Sequence, residues 1–392
     1  MAERNLDFDR EITRRGTGCI KYDCAVERGM PEDVLPLWVA DMDFATSSYV
    51  LDAMRERVDH GIFGYTEEVP GYFESVRDWM QRHHDFTVEK SWLVKTPGVV
   101  FALAMAIQAY TQPGDAVLIQ QPVYYPFEGV IRDNGRQMVT NTLYLGEDNR
   151  YHIDFDDFER KLSEHRVKLV LFCSPHNPVS RVWTEEELIR LGDLCMQHQV
   201  IVVSDEIHAD FAFQGKHHVF ATLKQEYAQR CVICTSPSKT FNLAGLNLSN
   251  IFIPNEELRE RFRSCVNAVG VSELNVMGQV ACEAAYRQGE EWYQAMMRYV
   301  ADNIALIGQY VEENLPGVRL VTHEGTYLVW LDFRELGLSE AALEQRIVRE
   351  AKLWLDGGGM FGAGGAGFQR INAACPRRLL REALERIRSV LQ

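Results

Sequence analysis

The sequence predicts an α/β fold, in which a mostly parallel sheet is covered by helices and followed by a smaller α/β unit. Three observations predict it. Short β-branched runs that are apolar throughout alternate with amphipathic helical patterns. Polar side chains stand just past the ends of three of those runs. The 392 residues, 46% hydrophobic and 25% charged, suffice for one large domain and an appendage.

The strand-like runs are "DAVLIQ" (115–120), "VKLVLFC" (167–173), "VIVVS" (200–204), "CVICT" (231–235) and "NIFI" (250–253). A strand with one wet face would alternate apolar and polar residues. These do not, which suits a sheet buried on both faces. Between two of them, "TEEELIRLGDLCMQHQ" reads as a helix. Thr184 is its N-cap, Glu187 completes a capping box, and Leu188, Leu191, Leu194 and Cys195 form one apolar stripe. "TPGVVFALAMAIQAYTQPGD" reads as a turn at Pro97-Gly98, a helix over 99–110 and a stop at Pro113-Gly114. Further on, "TYLVWLDF" (326–333) and "FQRIN" predict strands, and "SEAALEQRIVREA" and "CPRRLLREALERIRSVL" predict helices. The glycine-rich "DGGGMFGAGGAGF" (356–368) reads as a loop of close backbone approach, because regular structure resumes at once. We divide the chain into an N-terminal segment (1–48) that packs with the small domain, a large domain (49–287) and a small C-terminal domain (288–392).

A formal net charge of -15 argues against nucleic acid or an anionic membrane surface as partner. No apolar run is long enough to span a bilayer, and the first residues lack a secretory core. Nine scattered cysteines, an odd number, suit reduced thiols and a cytoplasmic location. Cys231 and Cys234 form a C-x-x-C, read as two thiols of a buried strand because no second pair follows at zinc spacing. No metal motif is present, and we expect no metal.

Asn177 follows "VLFC", Asp205 follows "IVVS", and Lys239 follows "CVICT". Singly, these read as a turn former, a helix cap and a solvated lysine. With parallel strands, all three meet at the carboxyl edge of the sheet, where open α/β folds bind ligands. Lys239 is also the only charged residue between Arg230 and Glu256, and a lone ammonium in apolar surroundings is costly. Pyridoxal phosphate chemistry needs this set. Its aldehyde removes the lysine charge by forming an imine, an aspartate keeps the ring nitrogen protonated, and an amide orients the ring oxygen. A helix start at "PGVV" (97–100) offers N–H groups to the phosphate, and Tyr124 or Tyr125 offers a ring to cover the cofactor.

With these residues in hand, the chain resembles fold-type I pyridoxal phosphate enzymes of the aspartate aminotransferase superfamily. It is most similar to the MalY/PatB-type cystathionine β-lyases. The matching stretches run from 36 to 378: "PLWVADMDF", "GIFGYTEE", "TPGVVFALAMAI", "QPVYYPF", "CSPHNPVSRVWT", "SDEIHADF", "SPSKTFNLAGL", "EGTYLVWLDFR" and "FQRINAACPR". The resemblance implies that Lys239 carries the cofactor and moves the Cα proton. Asp205 would face the ring nitrogen, Asn177 the ring oxygen, and Tyr124 the ring face. Gly98, Val99, Val100 and Ser236 would hold the phosphate. Tyr65 would reach the phosphate of a partner subunit, implying a homodimer with shared sites. Arg370, the only charge between Asp356 and Arg377, would clamp the substrate α-carboxylate.

Three positions depart from the usual aminotransferase pattern. Asn247 stands where an arginine often holds phosphate, His208 where a tyrosine is common, and Ser180 where glycine is usual. His208 matches the lyase-like subfamily and is placed beside the ring oxygen. The resemblance implies α,β-elimination of L-cystathionine and related cysteine S-conjugates to a thiol, pyruvate and ammonia. An aminotransferase would share every cofactor residue. A regulatory protein is a reading of another class, since some relatives also bind a transcriptional activator.

Overall fold

The computed structural model describes residues 3–391. Its centre is a seven-stranded sheet built from β1 (Leu93–Thr96), β2 (Ala116–Gln121), β3 (Gln137–Thr142), β4 (Leu169–Cys173), β5 (Ile201–Asp205), β6 (Cys231–Thr235) and β7 (Ser249–Phe252). Their spatial order is β1-β7-β6-β5-β4-β2-β3. Only β7 runs against the others, pairing antiparallel with both β1 and β6. The apolar run "NIFI" therefore belongs to the sheet but reverses its direction. Composition could not show this, because burial on two faces leaves the same apolar signature in either direction.

Both faces of the sheet are covered. In β4, Leu169, Leu171 and Cys173 join one core cluster, while Val170 and Phe172 join the other. The first cluster packs against α1 (Val99–Tyr110), and the second includes residues of α2 (Glu185–Gln197). Thr184 caps α2 with both halves of the capping box in place. Cys231 and Cys234 are buried free thiols on opposite faces of β6.

A second sheet follows, formed by β8 (Arg319–Leu320), β9 (Leu328–Asp332), β10 (Asp356–Gly357) and β11 (Phe368–Asn372) in the order β8-β9-β11-β10. It packs on α4 (Arg377–Leu391) through a third cluster that includes Val329, Leu331, Ile371, Leu380 and Ile387. The 25-residue helix α3 (Glu290–Asn314) belongs to two cores, since Trp292, Met296 and Val300 lie in the main one and Ile307 and Val311 in the third. The N-terminal segment also touches both. Phe8 packs edge-on against Phe44 and Trp292, while Leu35–Pro36 pairs with Leu353–Trp354.

Ser180 has φ 61°, the left-handed region that glycine tolerates best. Its hydroxyl donates to the Leu328 carbonyl at 2.7 Å, and its carbonyl accepts from the Glu324 and Gly325 amides. The side chain that makes this conformation costly also provides a bond that holds it.

The glycine-rich loop 357–367 is a place of close approach. A Cβ on Gly358 would lie 1.9 Å from the Gly365 oxygen, and one on Gly362 would meet the Gln121 side chain at 2.0 Å. Gly358→Ala should therefore destabilise the fold by about 1–3 kcal/mol, as overpacking does. Urea unfolding of the variant beside the parent protein measures this, and an unchanged midpoint would contradict it.

Candidate active site

Five strands deliver side chains to one carboxyl edge. Past β1 the chain turns through Gly98 into α1, past β2 it reaches Tyr124, and past β4 it reaches Asn177. Asp205 is the last residue of β5, level with Cys173 of β4 and Cys234 of β6. Past β6 comes the single helical turn Pro237–Thr240, which carries Lys239. A cavity of about 380 Å³ lies among them, lined by Gly98, Val99, Val100, Tyr124, Asn177, Asp205, His208 and Lys239. Eight of the residues predicted from sequence thus line one space.

Three others lie elsewhere. Ser236 caps the Lys239 turn, accepting from the Ser238 amide and donating to the Leu248 carbonyl at 2.7 Å. Ser238, two residues on, lines the cavity in its place, as does Asn247 at φ 48°. Arg370 lies behind the cavity wall, where its Nη1 donates to Asn177 Oδ1 at 2.8 Å. Tyr65 is 100% exposed, away from the cavity of its own chain.

The electrostatics follow from burial. Asp205 is buried, and that loss of water raises its carboxyl to about 7, against the Ile207 amide at 3.2 Å and the Lys239 charge. Lys239 is only partly accessible, through the cavity. The surrounding protein pushes its amine down to about 8, although Asp41 opposes the shift. His208 is buried, held well below its usual range first by burial and then by the Lys239 and Arg370 charges. Its Nδ1 has no hydrogen-bond partner among the described residues. Tyr124 is kept a phenol by burial.

These residues fit pyridoxal phosphate. Burial lowers the amine to about 8, which raises the share of free base, the form that attacks an aldehyde. Among the described residues the Asp205 carboxylate forms no ion pair, and a protonated ring nitrogen would supply one. The first amides of α1 have no acceptor within the helix and open on the cavity, as a phosphate requires.

Sequence reasoning missed the wall opposite the sheet. Lys239 Nζ donates to the Ala40 carbonyl at 2.7 Å, which also accepts from Tyr327 Oη at 2.7 Å. Arg370 Nη2 donates to the Trp38 carbonyl at 2.7 Å. Asn372 Nδ2 holds the Val39 and Asp41 carbonyls at 2.7 and 2.6 Å. Asn242 Nδ2 holds those of Met42 and Phe44, both at 3.0 Å. Main-chain oxygens make this wall, so no side-chain motif announces it. The one available signal was the run of asparagines flanking Lys239 and Arg370.

The chain belongs to the aminotransferase class I and II family, whose profile matches residues 32–387. Within that class it is of the PatB/MalY type of cystathionine β-lyase. It is 43% identical to cystathionine β-lyase PatB of Bacillus subtilis over 387 residues, 98% of this chain and 100% of the relative. Among solved structures, cystalysin of Treponema denticola, which contains pyridoxal 5'-phosphate, superposes with a TM-score of 0.94 at 36% identity, covering 98% of each chain. The PLP-bound C–S lyase of Staphylococcus hominis gives 0.92 at 34% identity, covering 99% of this chain and 98% of the other.

If Lys239 is the cofactor lysine, borohydride reduction of the cofactor-loaded protein will fix the label to the peptide containing Lys239. Lys239→Ala will lose that link. Mass-spectrometric mapping of the label to any other lysine would overturn the assignment.

Proposed function

We propose that the protein is a pyridoxal phosphate-dependent carbon–sulfur β-lyase that cleaves L-cystathionine and related cysteine S-conjugates to a thiol, pyruvate and ammonia. The observation that carries the reading is the pairing of Lys239 and Asp205 in one cavity, the amine lowered to about 8 and the carboxyl raised to about 7. The named activities of PatB and of the S. hominis C–S lyase support elimination as the reaction.

When bound, pyridoxal phosphate supplies a ring that stabilises negative charge at the amino acid's Cα. Lys239 would carry the cofactor, and its amine would take the Cα proton of the bound amino acid. Its lowered pKa suits a base working near neutral pH. Asp205 would hold a proton at the ring nitrogen, and Asn177 and His208 would position the ring oxygen. Tyr124 would cover the ring, and the amides of Gly98, Val99 and Val100 would hold the phosphate with help from Ser236 or Ser238. Arg370 receives the substrate α-carboxylate. With the Cα–H bond aligned by these contacts, the Cβ–S electrons leave with the thiolate. Water then completes release of the three-carbon fragment as pyruvate and ammonia.

Sustained, equal release of pyruvate, ammonia and thiol from L-cystathionine, with no keto acid present, is the expected result. A reaction that stalls after one turnover and resumes only when a keto acid is added would make the enzyme an aminotransferase.

We also read the active unit as a two-fold dimer with Tyr65 entering the partner's site. In the single chain Ile62, Phe63 and Tyr65 are 66%, 57% and 100% exposed, an apolar run that a second subunit would cover. Tyr65→Ala and Lys239→Ala should each be nearly inactive. Mixed and re-associated, they should regain roughly a quarter of the sites, because one site of each hybrid collects both defects. No recovery despite proven subunit exchange would place Tyr65 outside its partner's site.

A further inference from the structure

Elimination does not require every contact Arg370 makes. Asp356 and Arg370 are directly opposed residues of the antiparallel pair β10 and β11. The guanidinium Nη2 donates to the Asp356 carboxylate, and both side chains are 3% exposed. The same guanidinium donates to the Trp38 carbonyl and to Asn177 Oδ1 and lies 4.9 Å from the centre of the Phe361 ring. Its Nε is buried and has no hydrogen-bond partner among the described residues. The residue read as the substrate's carboxylate clamp therefore already holds a carboxylate, with its Nε still unpaired among the described residues. The pairing is not an accident of one rotamer, since the strand register sets the two residues face to face.

We propose that Asp356 is a specificity-determining residue, an internal carboxylate that occupies Arg370 and with which the substrate α-carboxylate must share the guanidinium. The proposal rests on the reading of Arg370 given under Proposed function. Two carboxylates beside one buried guanidinium leave an excess negative charge where water cannot screen it. Asp356 thus stabilises Arg370 in the free protein and weakens the hold on the incoming carboxylate. Among the described residues, Arg370 is the one cation that forms an ion pair with Asp356. Tyr124 and Tyr125, which face Asp356, are held as phenols by burial, and Arg28 stands across an outer cleft that Glu340 and Glu344 also line. Burial itself raises the Asp356 carboxyl, with Arg370 opposing.

The test is Asp356→Asn in the cofactor-loaded protein. It is titrated with L-alanine, which has the α-carboxylate but no leaving group, and with L-alaninamide, which lacks the carboxylate. The cofactor spectrum reports binding. The Kd for L-alanine should fall at least about tenfold, as expected when a bound carboxylate becomes the sole counter-charge of a buried guanidinium, while that for L-alaninamide should not move. KM for a cleavable substrate should fall with it, and kcat should change less. Asp356→Glu, which restores the charge, should return L-alanine to the parent value. Weaker L-alanine binding would make Asp356 an aligner of Arg370, and unchanged binding would mean that the two carboxylates never meet there. Either result overturns the proposal. Asp356→Ser removes the charge with a smaller side chain and gives the same comparison should the Asn variant not fold. L-alanine cannot undergo elimination, so a failed lyase assay and a failed binding test are separate outcomes.

Discussion

Taking an amine and a carboxylate out of bulk water into one cavity is the constraint around which this molecule is arranged. Among the described residues neither Lys239 nor Asp205 forms an ion pair, and each is displaced toward its uncharged form. Folding tolerates such a pair only where the surroundings are fixed. The sheet provides that fixity from below, with Asp205 held level between its neighbours in β4 and β6. The short turn Pro237–Thr240 provides it from the side. Its cap, Ser236, is tied to Leu248, and Thr240 donates to Asp210, whose carboxylate also receives His84 and Trp79.

The upper wall is held by a different device. Segment 38–44 runs across the cavity with its carbonyl oxygens accepting from Arg370, Asn372, Lys239, Tyr327 and Asn242. Beneath it lies a compact charge cluster. Lys21 is fully buried and donates to Asp43 at 2.8 Å, while Arg14 bridges Asp41 and Asp43. Breaking one member of such a buried group leaves another charge without its partner, so the cluster acts as a unit. The N-terminal segment is thereby part of the site's architecture and not an appendix to it.

Much of this was legible in the sequence, and the reasons differ by residue. Apolar runs revealed the strands because both faces of the sheet are buried. The polar residues at their ends revealed Asn177, Asp205 and Lys239 because a parallel sheet gathers its carboxyl ends. Helix α1 was exact at both ends because proline and glycine bracket it. The direction of β7 was hidden, since burial carries no sign. Ser238 was passed over for Ser236, because one hydroxyl inside a capped turn cannot be told from its neighbour without the turn's rotation. Asp356 figured only as the edge of the uncharged stretch around Arg370; pairing across β10 and β11 depends on register, which the glycine-rich loop between them sets. The carbonyl wall left only the asparagines that bond it as a mark, as main-chain atoms carry no residue code.

The clamp on segment 38–44 also sets an order of events in synthesis. Trp38 meets Arg370 across 332 positions of chain, and Val39 meets Asn372 across 333. A ribosome adding about 5–20 residues per second delivers the first partners on the order of tens of seconds before the second. Throughout that interval the large sheet can assemble with Lys239 and Asn242 already bonded to part of the early segment, while the grip of Arg370 and Asn372 is still missing. The clamp on segment 38–44 is therefore complete only once β11 has been made. A nascent chain stopped short of β11 would have the Ala40 carbonyl for Lys239 but not the Arg370 and Asn372 bonds that fix the carbonyls on either side of it.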